Sequence, residues 1–325
     1  MNNDKSDSYR VAIIGGGPAG LGVARGLASQ SIDRVIVIER SDELGGVPAR
    51  YLQKSGGVPT FVDWTGGRVL FGADLVKRLV AKLDDTNTEV LLQTQVLAVD
   101  SSKNQLTLVN PQRGKFQITA ESIVMACGAR EKTVAERRWI SGSRAARLFF
   151  TNQLIEWIDR YDKLPLRRPL ILGSDLIAYS AAAKLRAADS QEAVVLDESI
   201  RRKTPLPARL YFRRWANPRW CGNVCDARVI GPSAIEGITL DGGLTLECDG
   251  VTLSGELTPN SELAVLGGFQ VELPSRSLVL DGHQQLSSPG WFAAGNILGG
   301  FHGALWCYFN GRRLAPKVAK YLAAQ

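Results

Sequence analysis

Residues 9–40 read YRVAIIGGGPAGLGVARGLASQSIDRVIVIER, and this stretch decides the fold. YRVAII is a short β-branched run, the pattern of a buried strand. GGGPAG follows, then the helix-like LGVARGLASQ, and RVIVIER reads as a second buried parallel strand closed by Glu39 and Arg40. Gly15, Gly17 and Gly20 meet the G-x-G-x-x-G pattern between strand and helix, with Pro18 and Ala19 inside the turn. The first glycine permits the tight bend, the second lets a pyrophosphate approach the backbone, and the third lets helix and strand pack closely. The helix N-terminus offers free N–H groups and a positive dipole end to phosphates. Glu39 lies 19 residues beyond Gly20, where a carboxylate accepts hydrogen bonds from ribose hydroxyls. The pattern predicts a dinucleotide site and leaves open which dinucleotide.

A similar unit recurs in the middle of the chain. PLIL (169–172), the turn GSDLIA, the alanine-rich SAAAKLRAA and the run AVVLD repeat the order strand, turn, helix, strand. Read as G-x-G-x-x-A, the turn supplies Gly173 and Ala178, but Asp175 stands where the second glycine belongs. A carboxylate there crowds and repels a pyrophosphate. Two readings stay open: a nucleotide bound in a shifted way, with Asp197 near its ribose, or a domain retained only as structure. The charge clash favours impaired or absent NAD or NADP binding.

The chain has 325 residues, enough for two ordinary domains. With 45% hydrophobic and 22% charged residues it fits neither a disordered nor a membrane class, and no apolar run approaches the roughly 20 residues of a membrane helix. The opening MNNDKSDSYR lacks the charged-then-apolar pattern of a secretory signal, so the expected location is cytoplasmic. Five scattered cysteines do not suggest a disulfide framework, and with only His283 and His302 no metal site is expected. The net charge of +7 is uneven: residues 201–219 hold Arg201, Arg202, Lys203, Arg209, Arg213, Arg214 and Arg219 with no acid. Such concentration points to a docking face or an anion-facing loop rather than a nucleic-acid domain.

Four further motifs carry a family resemblance. Together with the glycine turn near the N-terminus, Ser122–Arg130 (SIVMACGAR), Leu170–Ala178 (LILGSDLIA), Leu257–Ala264 (LTPNSELA) and Trp291–Asn296 (WFAAGN) occur in an order that resembles the two-dinucleotide-domain flavoproteins, relatives of thioredoxin reductase and ferredoxin reductase in the pyridine nucleotide-disulfide oxidoreductase superfamily. The resemblance implies an α/β fold of two Rossmann-like dinucleotide-binding domains, the second inserted into the first. An FAD-binding domain is expected over 1–135 and 268–325, and an inserted NAD(P)-type domain over 145–260. It implies FAD at Gly15, Gly17, Pro18, Ala19, Gly20, Glu39 and Arg40. Gly46, Ala126 and Gly128 join them, with Gly295, Asn296, His302 and Gly303 from the closing segment. Asn296 stands where the family has Asp; its amide oxygen still accepts a ribityl hydroxyl through a neutral bond.

By the same resemblance the final helix points its N-terminus at the flavin pyrimidine edge. His302 sits there, as a group tuning the flavin or moving a proton, or as a capping or packing residue. The redox cysteine positions of the disulfide reductases are not met. LGGVPARYL (44–52) has no cysteine, and Cys221 and Cys225 form a C-x-x-x-C at a different place, so unpaired thiols are favoured over a redox loop. Residues 45–79 are similar to flavin subunits of multi-subunit amine, opine, proline or hydroxyproline dehydrogenases. An iron–sulfur centre would then belong to a partner. The expected function is an FAD-dependent, electron-transferring subunit of an amino-acid or amine dehydrogenase complex, as a hetero-oligomer or homodimer. The alternatives are a free-standing NAD(P)H-dependent reductase and a non-catalytic flavin-binding subunit. Trp64 and Thr65 are candidates to line the flavin face, and ARLYFRRWANPRWCG (208–222) is either a partner interface or a solvated basic loop.

Overall fold

The structure, a computed structural model, describes residues 7–51, 58–161 and 166–325. Most of the opening MNNDKSDSYR and residues 52–57 of the segment 45–79 lie outside the described residues. Ser8–Ile14 is the centre of a seven-stranded sheet, between Val35–Ile38 and Gly114–Met125. Val11, Ala12, Ile13 and Val35–Ile38 are buried on both faces, which is why these runs show no polar alternation. Gly114–Met125 is long enough to serve two neighbours on one edge. Its first half pairs antiparallel with Gln105–Asn110, and its second half pairs parallel with Trp291–Ala293. The late segment thereby returns to the first sheet. Trp291 is fully buried and donates its indole N–H to Asn104 Oδ1 at 2.7 Å, so the return is pinned by a satisfied polar atom.

Pro18–Ala28 and Ala304–Ala323 cover this sheet side by side. Tyr308, Gly311, Ala315, Val318 and Leu322 repeat at helical spacing and are buried against the first helix. The approach is at backbone distance. A Cβ on Gly22 would meet Tyr308 O at 2.0 Å, and one on Gly311 would meet Ala19 O at 2.1 Å.

The chain leaves the first sheet through Ala129–Glu131 and returns through Leu257–Pro259, two strands paired antiparallel. Between them lie two further sheets. One is all parallel, in the order Leu148–Phe150, Gly250–Leu253, Pro169–Leu172, Val194–Leu196, Arg219–Cys221. The other joins Ile140–Gly142 to the meander Ala227–Ile230, Gly237–Leu240, Thr245–Glu247. Among the described residues no helix is long and apolar enough to cross a membrane.

Arg137 ties the junction together. Its side chain is fully buried and donates to the carbonyls of Lys132 (3.1 Å), Leu172 (3.3 Å), Ser254 (2.9 Å) and Gly255 (2.8 Å), with Glu256 3.6 Å away. Beside it Glu131 points at the start of the helix Thr151–Tyr161. Its Oε2 accepts from Asn152 N–H at 3.4 Å, while Oε1 is buried without a hydrogen-bond partner. Burial outweighs the hydrogen bonds from Thr151 and Asn152 and pushes the Glu131 carboxyl up from 4.5 to about 7.

Gly22→Ala should cost about 1–3 kcal/mol or more in urea denaturation, because neither helix backbone has room to give. Gly282→Ala, where a Cβ meets nothing within 4 Å, should stay within about 0.5 kcal/mol of wild type. The raised Glu131 carboxyl favours the folded state fully below its ordinary value of 4.5, and that contribution is lost as pH rises through about 7. The loss amounts to about 3 kcal/mol. Melting curves from about pH 5 to about pH 8 should therefore show the wild type losing several degrees relative to Glu131→Gln.

Candidate functional site

The first glycine turn has the geometry its sequence predicts. Gly15 has a φ of 112° and lies against the end of Gly114–Met125; a Cβ on it would meet Ala126 O at 2.5 Å. The helix begins at Pro18, so the first N–H groups after Gly17 have no acceptor within the helix and face outward. Gly17 itself is open: the nearest atom to a Cβ there is Gly46 Cα at 3.8 Å. Gly46 lies alongside it, and Gly295 lies on the other side, where a Cβ would meet Ala19 Cβ at 2.5 Å. Three separate parts of the chain thus bring glycine backbone to one point.

Glu39 closes the second strand. It is buried, and it accepts from Gly16 N–H through Oε2 and from Ser41 N–H through Oε1, each at 2.8 Å. Each oxygen keeps a second lone pair for a ribose hydroxyl. Arg40 is exposed. Gly128 accepts from Asn260 N–H at 3.0 Å, and Asn260 Nδ2 donates to Cys127 O at 2.8 Å, so LTPNSELA locks the end of SIVMACGAR. An anion-binding helix N-terminus, an open glycine and a carboxylate fit the adenosine diphosphate half of FAD.

The closing segment is built differently from the expectation at Asn296. Its Oδ1 accepts from His302 N–H at 2.8 Å and from Cys307 Sγ at 3.3 Å, while Nδ2 donates to His302 O at 3.0 Å. The amide oxygen is engaged by the loop that it closes. His302 is exposed and stacks on Trp306, with ring centroids 3.7 Å apart and 27° between planes. Gly303 caps the final helix with nothing within 4 Å of a Cβ position. Trp64 lies in a turn after Phe61–Asp63, its ring 6.2 Å from Phe309; Thr65 donates to Asp63 Oδ1.

The five cysteines are free. Burial pushes the thiols of Cys127 and Cys307 up to about 12 and that of Cys248 to about 11, so these three stay protonated and unreactive near neutral pH. Cys221 ends the outer strand of the parallel sheet and Cys225 is exposed beyond it. Among the described residues no group of three or more His, Cys, Asp or Glu is placed to hold a metal ion.

The second turn keeps the scaffold of the first. Gly173 has a φ of 118° and packs on Ser254 O, and the helix Leu176–Ala187 follows. Asp175 is its N-cap: Oδ1 accepts from Ala178 N–H at 3.1 Å and from Ser254 Oγ at 2.9 Å. Burial raises its carboxyl above the usual range against these bonds and the nearby Arg137 and Lys203. Asp197 is fully buried, with Ser199 N–H at 2.8 Å and Lys203 Nζ at 3.1 Å from Oδ1.

Sequence reasoning missed Arg137, whose surroundings AERRWI carry no motif, and Glu131, whose burial depends on a helix that begins 20 residues later. The aromatic–arginine stretch 208–222 is not a wholly solvated loop. Phe212 is buried with Val58, Tyr179 and Ala183, and Tyr211 donates to Pro59 O at 2.9 Å, so these rings join the insert to the first domain.

Comparisons with known proteins bear on the family and the fold. The pattern of the family described as pyridine nucleotide-disulphide oxidoreductase matches residues 9–316. A ferredoxin–NADP reductase of Streptococcus sanguinis strain SK36 is 32% identical over 124 residues, 38% of this chain and 36% of that one. The chain thus matches about a third of the length of such curated relatives. Among solved structures, an L-proline dehydrogenase from P. horikoshii superimposes with a TM-score of 0.71 at 21% identity, covering 96% of this chain and 55% of that one. A thioredoxin reductase from T. acidophilum gives 0.74 at 15% identity, covering 97% and 99%. At these identities the two structures establish the fold.

The open face of Gly17 gives a direct check on the cradle. A Cβ there comes no closer than 3.8 Å to the nearest atom, Gly46 Cα, and a branched side chain built on it would fill the approach to the helix N–H groups. Gly17→Val should fold normally by circular dichroism and bind FAD at least about tenfold more weakly for each charge-assisted bond lost, as read by flavin fluorescence titration.

Proposed function

Because the chain belongs to the pyridine nucleotide-disulphide oxidoreductase family, a family of FAD-dependent oxidoreductases, we propose that it is the electron-transferring flavin subunit of an amino-acid or amine dehydrogenase complex. The observation that carries this is a complete cradle for the FAD nucleotide without a cysteine pair beside it. The thiols nearest the cradle, Cys127 and Cys307, are buried and held protonated. They cannot accept electrons as a dithiol–disulfide couple, so the electrons have to pass to or from another partner.

FAD, when bound, supplies a two-electron acceptor. The chain's own residues hold and orient it. The N–H groups after Gly17 would hold its pyrophosphate and Glu39 its ribose, and the positive end of the final helix would favour negative charge on the ring. His302 stacks on Trp306 just before that helix; in this reading it would donate a hydrogen bond or proton at the ring edge. The likeness of fold to an L-proline dehydrogenase supports an amino acid or amine as the primary electron source. A second reading, a free-standing NAD(P)H-dependent reductase, is favoured by the ferredoxin–NADP reductase relatives.

Anaerobic stopped-flow absorbance of the FAD-loaded protein separates the two. Under the first reading, an amino acid such as proline bleaches the flavin only when the protein encoded beside this chain is added. Rapid bleaching by NADH or NADPH alone would establish the second reading and remove the first.

A further inference from the structure

We propose that the second dinucleotide site is filled from within: the Asp175 carboxylate occupies the seat of a nucleotide pyrophosphate, and the loop through Lys203 and Thr204 covers Asp197, so that NADH and NADPH do not bind the insert. This goes beyond the assignment of the flavin subunit and stands on the second turn alone.

The molecule contains its own reference. Gly15-Gly16-Gly17-Pro18-Ala19-Gly20 and Gly173-Ser174-Asp175-Leu176-Ile177-Ala178 are two copies of one turn, each following a buried parallel strand and opening a helix. Gly15 and Gly173 share a φ near 115°, at 112° and 118°, so the bend is preserved. The copies part at the next key position. Gly17 has open space before it, whereas Asp175 folds its side chain back over the helix start and takes the Ala178 N–H as its own. That N–H belongs to the counterpart of Gly20, in the first turn of the helix where phosphate oxygens bind.

The carboxylate is also enclosed. Ser254 donates to Oδ1, and a Cβ on Gly255 would lie 2.5 Å from Oδ2, so the return segment closes on the other oxygen. A phosphate entering here would have to displace a carboxylate held by two donors and then share its site with a like charge.

The loop after the third strand of the insert completes the closure. Lys203 N–H donates to Ser174 Oγ at 3.0 Å, and Thr204 donates to Ser174 O through both N–H (2.9 Å) and Oγ1 (2.7 Å). The loop is thereby tied across the glycine turn itself. Beneath it the Asp197 carboxylate is inaccessible and neutralised by Lys203, with Oδ2 sealed in without a hydrogen-bond partner. Glu39, its counterpart, meets only neutral N–H donors.

The test is a calorimetric titration of the FAD-loaded protein with NADH and with NADPH, without any electron-donating substrate. It therefore fails or succeeds independently of the dehydrogenase assignment. The wild type should give no binding at about 1 mM, and Asp175→Gly should bind one of the two at least about a hundredfold more tightly. If Asp175→Gly does not fold, Asp175→Asn, which keeps an acceptor for the Ala178 N–H and removes the charge, should show the same direction of change. Micromolar binding to the wild type would overturn the proposal. So would a folded, yellow Asp175→Gly or Asp175→Asn that binds neither nucleotide better than wild type.

Discussion

Everything at the flavin cradle depends on two helices meeting at backbone distance. Pro18–Ala28 comes from the start of the chain and Ala304–Ala323 from its end, and they touch through Gly22 on one side and Gly311 on the other. Side chains at these positions would hold the helices apart. Because they are absent, Gly295 reaches Ala19 and the start of the last helix comes within reach of the glycine turn. The glycine turn opens the first helix and Gly303 opens the last, so the separation of the two helix starts is set by this contact.

The first half of the fold was legible because its chemistry leaves few options. A glycine turn between a buried strand and a helix, with an acid closing the next strand, has one common structural solution. The positive φ of Gly15 and the bonds from Gly16 and Ser41 N–H to Glu39 have the geometry that this turn requires. The mixed sheet of Ile140–Gly142 and the meander Ala227–Glu247 was not foreseen, since its strands have only three or four residues each. Arg137 was invisible for a related reason: its four acceptors are backbone carbonyls, which have no signature in sequence. The rings of Tyr211 and Phe212 read as surface because arginines flank them, yet they turn inward onto Val58 and Pro59.

Within one chain the same turn thus serves two ends. In the first copy the helix N-terminus is left for a ligand; in the second it is satisfied by the N-cap carboxylate of Asp175. Capping is the ordinary way for a protein to use such N–H groups, and a glycine that leaves them free is the exception that binding requires. The capped copy also joins a network with Ser254 and Arg137, which grips both linker segments. A domain that need not admit a nucleotide can use its turn as a brace.

Asn296 shows the same economy at the other end of the cradle. His302 presents an N–H and a C=O to it, and the fixed polarity of that peptide determines which way round the amide lies. An ionised aspartate could accept from the N–H but has nothing to donate to the carbonyl, which would then face a negative charge. Asparagine therefore suits the closed loop better than an aspartate would. Cys307 adds a third bond to the amide, the second at its oxygen, and Trp306 holds the His302 ring from outside. The neutral amide at position 296 thus fixes a loop on both the N–H and the C=O of His302, and that loop leads through His302 and Gly303 into the final helix.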